Sequence, residues 1–170
     1  MLKTGGGSNC ASRRFSIDST HTRYQCVRSK QTAGPTVHRR KSNTVIVGLG
    51  TDIIEIVRIG RMVERHGELF LHRVFTEGEI RYCQRRKESF QHFAGRWAAK
   101  EAVMKALGTG WIRGVGWQDI EVDVLKSGKP VIHIHGSARD FVSRLEIDDV
   151  LITISHCRSY ATATAIAVKN

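Results

Sequence analysis

The sequence contains no apolar run long enough to cross a membrane. A membrane-spanning helix needs about 18 or more apolar residues in succession, and no stretch of the 170 residues comes close to that length. The four cysteines, at 10, 26, 83 and 157, include no CxxC pair and no cysteine–histidine cluster with zinc spacing. We therefore expect no membrane span, no structural zinc site, and free thiols in a reducing compartment.

Acidic residues are nearly absent from the first part of the chain. Residues 1–44 hold nine Lys and Arg against the single acid Asp18, so most of the formal net charge of +11 lies there. Low hydrophobicity with net charge is typical of disorder. We predict a basic extension over 1–44 and one folded domain over 45–170.

The extension leaves the compartment open. An acid-poor start rich in Arg and Ser is also typical of a transit peptide, and an incorrectly assigned start codon is a third interpretation. We expect a cytoplasmic protein, with the mitochondrial or plastid matrix as the alternative. Because the charge is concentrated in the extension, the overall charge is a poor argument for nucleic-acid binding.

The folded part begins with a change in hydrophobic pattern. Val45 to Leu49 are typical of a buried strand, and a turn is predicted over 50–52. Three helices follow. The first ends near Gly67, the second begins at Thr76 in a capping box, and the third runs from Ser89 or Phe90 to Gly108.

After the third helix the apolar period changes from helical to two. Alternation over 120–124 and 131–135 predicts two strands joined by a turn, and residues 151–156 and 161–168 predict a closing hairpin. Ser137 is the predicted cap of a short helix between them. The order of elements predicts an α+β fold, with a largely antiparallel sheet packed against the long helix.

The long helix carries charge within its apolar stripe. Phe93, Trp97, Met104 and Leu107 share one face, Lys100 falls inside that face, and Glu101 lies on its flank. A surface pair between Glu101 and Lys105 would add only ~0.2–0.5 kcal/mol. A half-buried carboxylate otherwise needs a cation or a metal as partner. The helix alone leaves both interpretations open.

Other residues are equally ambiguous when taken singly. Asp52 follows the first strand, where it is either the cap of the next helix or a functional carboxylate. His156 ends a predicted strand and is either a packed residue or a catalytic one. His133 and His135 alternate with isoleucines, which favours a solvated sheet face over a metal site. A dinucleotide-binding loop is excluded because Ile53 stands where its third glycine is required.

Taken together, six short phrases are similar to one family. They are GLGTDIIEI at 48–56, FTEGEI at 75–80, RWAAKEA at 96–102, KALGTG at 105–110, GKP at 128–130 and ISH at 154–156. Residues 45–168 thus resemble the holo-acyl-carrier-protein synthases, the small bacterial-type 4′-phosphopantetheinyl transferases. Trp97 stands where phenylalanine is common in that family.

The resemblance implies a compact fold, a homotrimer and a reaction. The reaction moves the 4′-phosphopantetheine arm of coenzyme A to a serine of apo acyl carrier protein, releases 3′,5′-ADP and supports fatty acid biosynthesis. Coenzyme A would lie in a cleft between neighbouring subunits. Asp52 and Glu101 match the carboxylates that bind magnesium in the family.

The resemblance also implies roles for other residues. The catalytic set would be Glu101, Lys105 and His156. The set that contacts coenzyme A would be Arg96, Lys100, Lys105, Gly108, Pro130 and His156. Magnesium suits these carboxylates physically, because it typically binds one or two carboxylates together with substrate phosphates.

Three arginines on the first helix predict a docking surface. Arg58, Arg61 and Arg65 lie opposite Ile56, Ile59 and Val63, and acyl carrier proteins are strongly acidic. Arg58 also matches a position that the family uses for carrier contact. A nucleic-acid-binding module is the main rival, but no aromatic residue alternates with these arginines and we expect no nucleic-acid partner. A catalytically inactive member of the family is a second rival, disfavoured by the presence of Asp52, Glu101 and Lys105.

Overall fold

The computed structural model describes residues 43–110 and 114–170. The predicted extension, except Asn43 and Thr44, lies outside the described residues. In the part of the chain that is described, no helix is both long and apolar enough to span a membrane.

The described residues form an α+β fold, as the sequence predicts. The elements in chain order are β1 (Val45–Glu55), α1 (Ile56–Val74), α2 (Glu77–Gln84), α3 (Ser89–Ala106), a 3-10 turn (Trp117–Asp119), β2 (Ile120–Val124), β3 (Pro130–Ile134), α4 (Ala138–Arg144), β4 (Asp149–His156) and β5 (Tyr160–Lys169). Strands β1, β5 and β4 form one antiparallel sheet in that order, and β2 pairs with β3 in a second.

Small residues let α3 pack directly on the three-stranded sheet. Four alanines of β5 face it and are buried, at positions 161, 163, 165 and 167. A Cβ atom added at Gly48 would lie 1.9 Å from the carbonyl oxygen of Ala106, and one added at Gly50 would lie 2.0 Å from that of Ala102. The two glycines therefore bring β1 against the backbone of α3.

The turn predicted over 50–52 is wrong. Strand β1 continues through these residues to Glu55, and Gly50, Thr51 and Asp52 pair with Ala165, Thr164 and Ala163 of β5. Gly50 is needed for close packing rather than for a bend, a distinction that local sequence does not carry. As a result, Asp52 is held by a paired strand.

Two predicted helix ends are confirmed, and two are wrong. Thr76 and Glu79 form the capping box at the start of α2, and Gly108 has the positive φ of +66° typical of a glycine after a helix. Gly67, with φ 55° and ψ −136°, breaks the helical geometry of α1, but the chain resumes a helix to Val74. Ser137 does not cap α4, because its hydroxyl bonds Gly114 and Asp119 instead.

Candidate active site

Lys100 is part of the core. Its side chain has no exposed surface, and its Nζ lies 2.8 Å from Oε2 of Glu79. The same ammonium donates to the carbonyl oxygens of Trp117 at 2.9 Å and Ile120 at 2.6 Å. The other oxygen of Glu79 accepts from the backbone N–H of Val122. This buried pair therefore fastens α2 and α3 to the start of β2.

The position of Lys100 corrects the expectation that it lines the coenzyme A cleft. A lysine with no exposed surface and three bonds inside the core cannot reach a ligand in solvent. Burial lowers the pKa of Lys100, an effect that the neighbouring Glu79 carboxylate opposes. Its place in the apolar stripe thus reflects a buried partner on α2, which sequence spacing along α3 does not reveal.

Asp52 and Lys105 meet beside the C-terminal half of α3. Nζ of Lys105 lies 2.8 Å from Oδ1 of Asp52 and 2.9 Å from the carbonyl oxygen of Thr51. The Lys105 side chain is 48% exposed and that of Asp52 is 17% exposed. Because Asp52 lies inside β1, it does not cap α1, and its interpretation as a helix cap is wrong. The Asp52 carboxylate therefore has no role in capping α1.

Glu101 lies in the same C-terminal half of α3. It is half-buried, and it precedes Lys105 by one helical turn. Gly50 packs on Ala102, and two strand residues advance about as far as four helical residues. Asp52, two residues after Gly50 on the same strand face, is therefore level with the turn of α3 that contains Glu101. Gly108 lies two residues after Ala106, the last residue of α3.

A cleft of about 190 Å³ opens at the other end of α3. It brings together three residues that the sequence selected, Arg96, Pro130 and His156. Arg96 is only 4% exposed, and its Nε and Nη2 have no hydrogen-bond partner among the described residues. A buried guanidinium with unpaired donors costs free energy unless a ligand accepts from it. We therefore expect the cleft to bind a ligand that carries hydrogen-bond acceptors, such as an anion.

Nothing in the described lining neutralises Arg96. Its guanidinium stacks on the ring of Tyr82 with the carbon 4.0 Å from the ring centre. Cys83 lies beside it, but burial raises the pKa of this thiol to about 12 and keeps it protonated at neutral pH. The residues described around the cleft include no carboxylate. The cleft is therefore positively charged on the side formed by Arg96, where two N–H groups lack an acceptor among the described residues.

His92 and Tyr82 are cleft residues that sequence reasoning missed. The His92 ring lies 5.9 Å from the rings of both Tyr82 and His156, edge to face in each case. The spacing of four residues between His92 and Arg96 was the available signal, because it places both on one face of α3. The proximity of Tyr82 and His156 depends on tertiary packing and has no local signature.

The two groups of residues point to opposite sides of α3. Arg96 and Lys105 are nine residues apart, which corresponds to about 14 Å along the axis and a half-turn around it. Asp52 lies on β1 and His156 on β4, at opposite edges of the three-stranded sheet. Within one chain, the Arg96 cleft and the group of Asp52, Glu101 and Lys105 are therefore separate.

The first helix carries the predicted basic surface. Arg58, Arg61 and Arg65 are exposed, and they form what we call the arginine ridge, while Ile56 and Ile59 on the opposite side are buried.

The outer histidines have carboxylate neighbours. His135 lies 2.9 Å from Glu121 and His133 lies 3.7 Å from Asp123. No group of three metal-binding side chains occurs in the described part of the chain.

Comparison with known proteins identifies the family. A model of the 4′-phosphopantetheinyl transferase superfamily matches residues 48–165. The chain belongs to this superfamily. It is an enzyme of this transferase class.

Close relatives agree with the family model. The chain is 51% identical over 126 residues to holo-[acyl-carrier-protein] synthase of Gloeobacter violaceus, covering 74% of this chain and 95% of the relative. It is 44% identical over 122 residues to the synthase of Solibacter usitatus, covering 72% and 98%. A solved synthase from Bacillus anthracis, in complex with coenzyme A (3′,5′-ADP), matches with 35% identity and a TM-score of 0.61, covering 74% and 98%.

Proposed function

We propose that the chain transfers the 4′-phosphopantetheine group of coenzyme A to a serine of apo acyl carrier protein, as a step that supports fatty acid biosynthesis. The observation that carries this proposal is the buried guanidinium of Arg96, whose Nε and Nη2 have no hydrogen-bond partner among the described residues, in a cleft whose described lining contains no carboxylate. Coenzyme A presents phosphate oxygens that such a group recognises. The similar structure in complex with coenzyme A supports the same ligand.

The reaction is a phosphoryl transfer. The serine hydroxyl attacks the phosphorus that carries pantetheine, and the bond from that phosphorus to the bridging oxygen breaks. The leaving group, 3′,5′-ADP, keeps the bridging oxygen, and the hydroxyl loses its proton. Such reactions depend mainly on positioning and on stabilising negative charge. Lys105 supplies a cation for this charge, and Glu101 is the catalytic carboxylate that lies one turn away.

Asp52 and Glu101 suit a magnesium ion. Magnesium prefers oxygen ligands and typically binds one or two carboxylates, leaving places for substrate phosphates and water. Two carboxylates at one end of α3, without a histidine or cysteine cluster in the described residues, agree with that preference. When bound, magnesium supplies Lewis-acid stabilisation of charge on the phosphates. Lys105, which holds Asp52 in the chain alone, is then free to contact phosphate.

Two half-sites on opposite sides of α3 favour a site shared between subunits. We assign the end with Asp52, Glu101, Lys105 and Gly108 to one subunit and the cleft with Arg96, Pro130 and His156 to its neighbour. In this arrangement coenzyme A lies between the two. A trimer closes the arrangement with three equivalent sites.

The outer face of the three-stranded sheet is the proposed subunit interface. Its central rows run across β1, β5 and β4 as Leu49–Ile166–Leu151 and Thr51–Thr164–Thr153. Leu49 and the nearby Ile53 are 66% and 65% exposed. These rows contain no charge, and the Thr51 hydroxyl bonds the backbone of Ala163. The face can therefore pack against copies of itself without burying a charge.

The arginine ridge is the proposed docking surface for the acidic carrier. Its three exposed guanidinium groups would steer an acidic partner and increase the association rate. This assignment makes a protein, rather than a nucleic acid, the partner of the ridge.

The free cysteines favour a reducing compartment. Cys83 and Cys157 are both free thiols, which suits the cytoplasm or an organelle matrix. A reporter fused to residues 1–44 distinguishes these locations. Diffuse fluorescence supports the cytoplasm, and import into an organelle supports a transit peptide.

The decisive assay uses apo acyl carrier protein, coenzyme A and magnesium. We expect the carrier to gain the mass of one phosphopantetheine group per molecule, together with an equal amount of 3′,5′-ADP. A carrier variant with its acceptor serine replaced by alanine is the control and should gain no mass. An unmodified wild-type carrier, with coenzyme A bound to the enzyme, would contradict the proposed reaction.

A further inference from the structure

His92 lines the same cleft as Arg96. It lies one helical turn before Arg96 on the same face of α3 and is half-buried. Its ring contacts Tyr82 on one side and His156 on the other. The ring therefore lies near the tyrosine on which Arg96 stacks and near the histidine at the end of β4, and all of these residues line the cleft.

The charged and titratable groups around His92 are mainly cationic. Arg96 faces it from α3, His156 from β4, and Tyr82 and Arg86 from α2 and the turn after it. Strands β2 and β3 line the cleft with Val124 and Pro130 and add no titratable group there. Protonation of His92 is thus electrostatically unfavourable until an anion enters the cleft.

We infer that His92 binds a phosphate group of coenzyme A in its protonated form, taking one proton from solvent as the ligand enters the cleft. The anion supplies the acceptor that Arg96 lacks and offsets the repulsion among Arg96, His156 and a protonated His92. This inference rests on the proposed function, because it takes coenzyme A as the ligand.

The ionisation of His92 in the ligand-free chain agrees with this role. Burial lowers the pKa of His92, and the charges of Arg96, His156 and Arg86 lower it further. A bound phosphate opposes these charges and raises the pKa again. Because binding then takes up a proton, affinity increases as pH falls through the interval between the bound and the free pKa, and is constant above it.

The test compares wild type with His92→Gln, which preserves side-chain volume and cannot protonate. Calorimetric titration with coenzyme A, in buffers of different ionisation enthalpy, measures both the Kd and the number of protons taken up. Near pH 6.5, the Kd of the variant should exceed that of wild type by about tenfold, the worth of one charge-assisted hydrogen bond. At about pH 8.5, where imidazole is neutral, the two values should converge.

Two features keep the comparison specific. The phosphate's own ionisation, with a pKa of about 6, contributes equally to both proteins, so the difference in proton uptake belongs to His92. His133→Gln makes the same substitution at an exposed histidine outside the cleft. That variant should retain the wild-type Kd and proton uptake.

Different phosphate groups can be separated with ligand fragments. If His92 contacts the 3′-phosphate, its variant should lose affinity for 3′,5′-ADP but not for dephospho-coenzyme A. If it contacts the diphosphate, dephospho-coenzyme A should show the loss. Either result supports a phosphate contact.

The failures are distinguishable. Equal Kd and equal proton uptake for wild type and His92→Gln would overturn the role of His92 and leave the transferase proposal intact. Tight binding of coenzyme A with His92-dependent proton uptake, but no transfer to apo carrier, would overturn the transferase proposal alone. A wild-type protein that binds no coenzyme A would overturn both.

Discussion

Two lysines on one helix hold carboxylates at the same distance in opposite environments. Lys100 contacts Glu79 at 2.8 Å with neither side chain exposed by more than 1%, whereas Lys105 contacts Asp52 at 2.8 Å with 48% of the lysine exposed. The first pair also satisfies four backbone groups, from residues 76, 117, 120 and 122. Distance alone therefore does not separate a structural pair from a functional one; burial and the remaining partners do.

The comparison assigns different consequences to the loss of each pair. Removing one partner of the buried pair leaves an uncompensated charge in the core, which costs stability. The exposed pair contributes little to stability because water screens it. Under the proposed function, its carboxylate and ammonium instead exchange partners with magnesium and phosphate.

The largest expected effect is on catalysis. Asp52→Ala and Glu101→Ala should each reduce transfer by about a thousandfold or more, because each removes a proposed oxygen ligand for magnesium. Both variants should keep their circular dichroism spectrum and oligomeric state, because both carboxylates are proposed as metal ligands rather than as supports of the core. Near-normal turnover of either variant at limiting magnesium would contradict the shared-metal assignment.

The next effect is on stability and separates the lysines directly. Lys100→Met should lower the free energy of unfolding by about 3–5 kcal/mol, because Glu79 is left buried without its cation. Lys105→Met is the matched control on the same helix and should cost at most about 1 kcal/mol. Urea unfolding measures both values. Equal losses would mean that burial does not distinguish the two pairs.

The same two lysines indicate how far sequence reasoning extends. The α+β class, the capping box and the positions of Asp52 and Glu101 depend on local patterns and motifs, and the first two are confirmed by the fold. The environment of Lys100 depends on Glu79, which lies 21 residues away on another helix. Similarly, Gly50 has the local appearance of a turn, and only its contact with Ala102 explains why it belongs to a strand.

A moderate effect is expected at the arginine ridge, whose three guanidinium groups are exposed. Arg58→Glu should raise the KM for acyl carrier protein by about tenfold at low salt, while leaving the KM for coenzyme A nearly unchanged. The reversal opposes an acidic carrier, so its effect should exceed that of Arg58→Ala. Steady-state kinetics at two salt concentrations measures the change. Equal carrier KM values for wild type and Arg58→Glu would contradict the proposal that the arginine ridge is the docking surface for the carrier.

The smallest effect is expected from shortening the chain before the domain. Deleting residues 1–42 preserves Thr44, whose hydroxyl bonds Asn170, and preserves both lysine pairs. We therefore expect the melting temperature and the transfer rate to stay close to those of the full chain. A fall of many degrees in the melting temperature would show that the extension stabilises the domain.

Magnesium binding in the presence of coenzyme A tests the central assignment most directly. Without carrier protein no transfer occurs, so calorimetric titration of magnesium into the complex reports binding alone. Wild type should bind one ion per chain, Asp52→Asn should lose that binding, and Glu79→Gln, if it remains folded, should retain it. Equal magnesium affinity in wild type and Asp52→Asn would contradict the account, because the carboxylate held by Lys105 would then have no part in binding the metal.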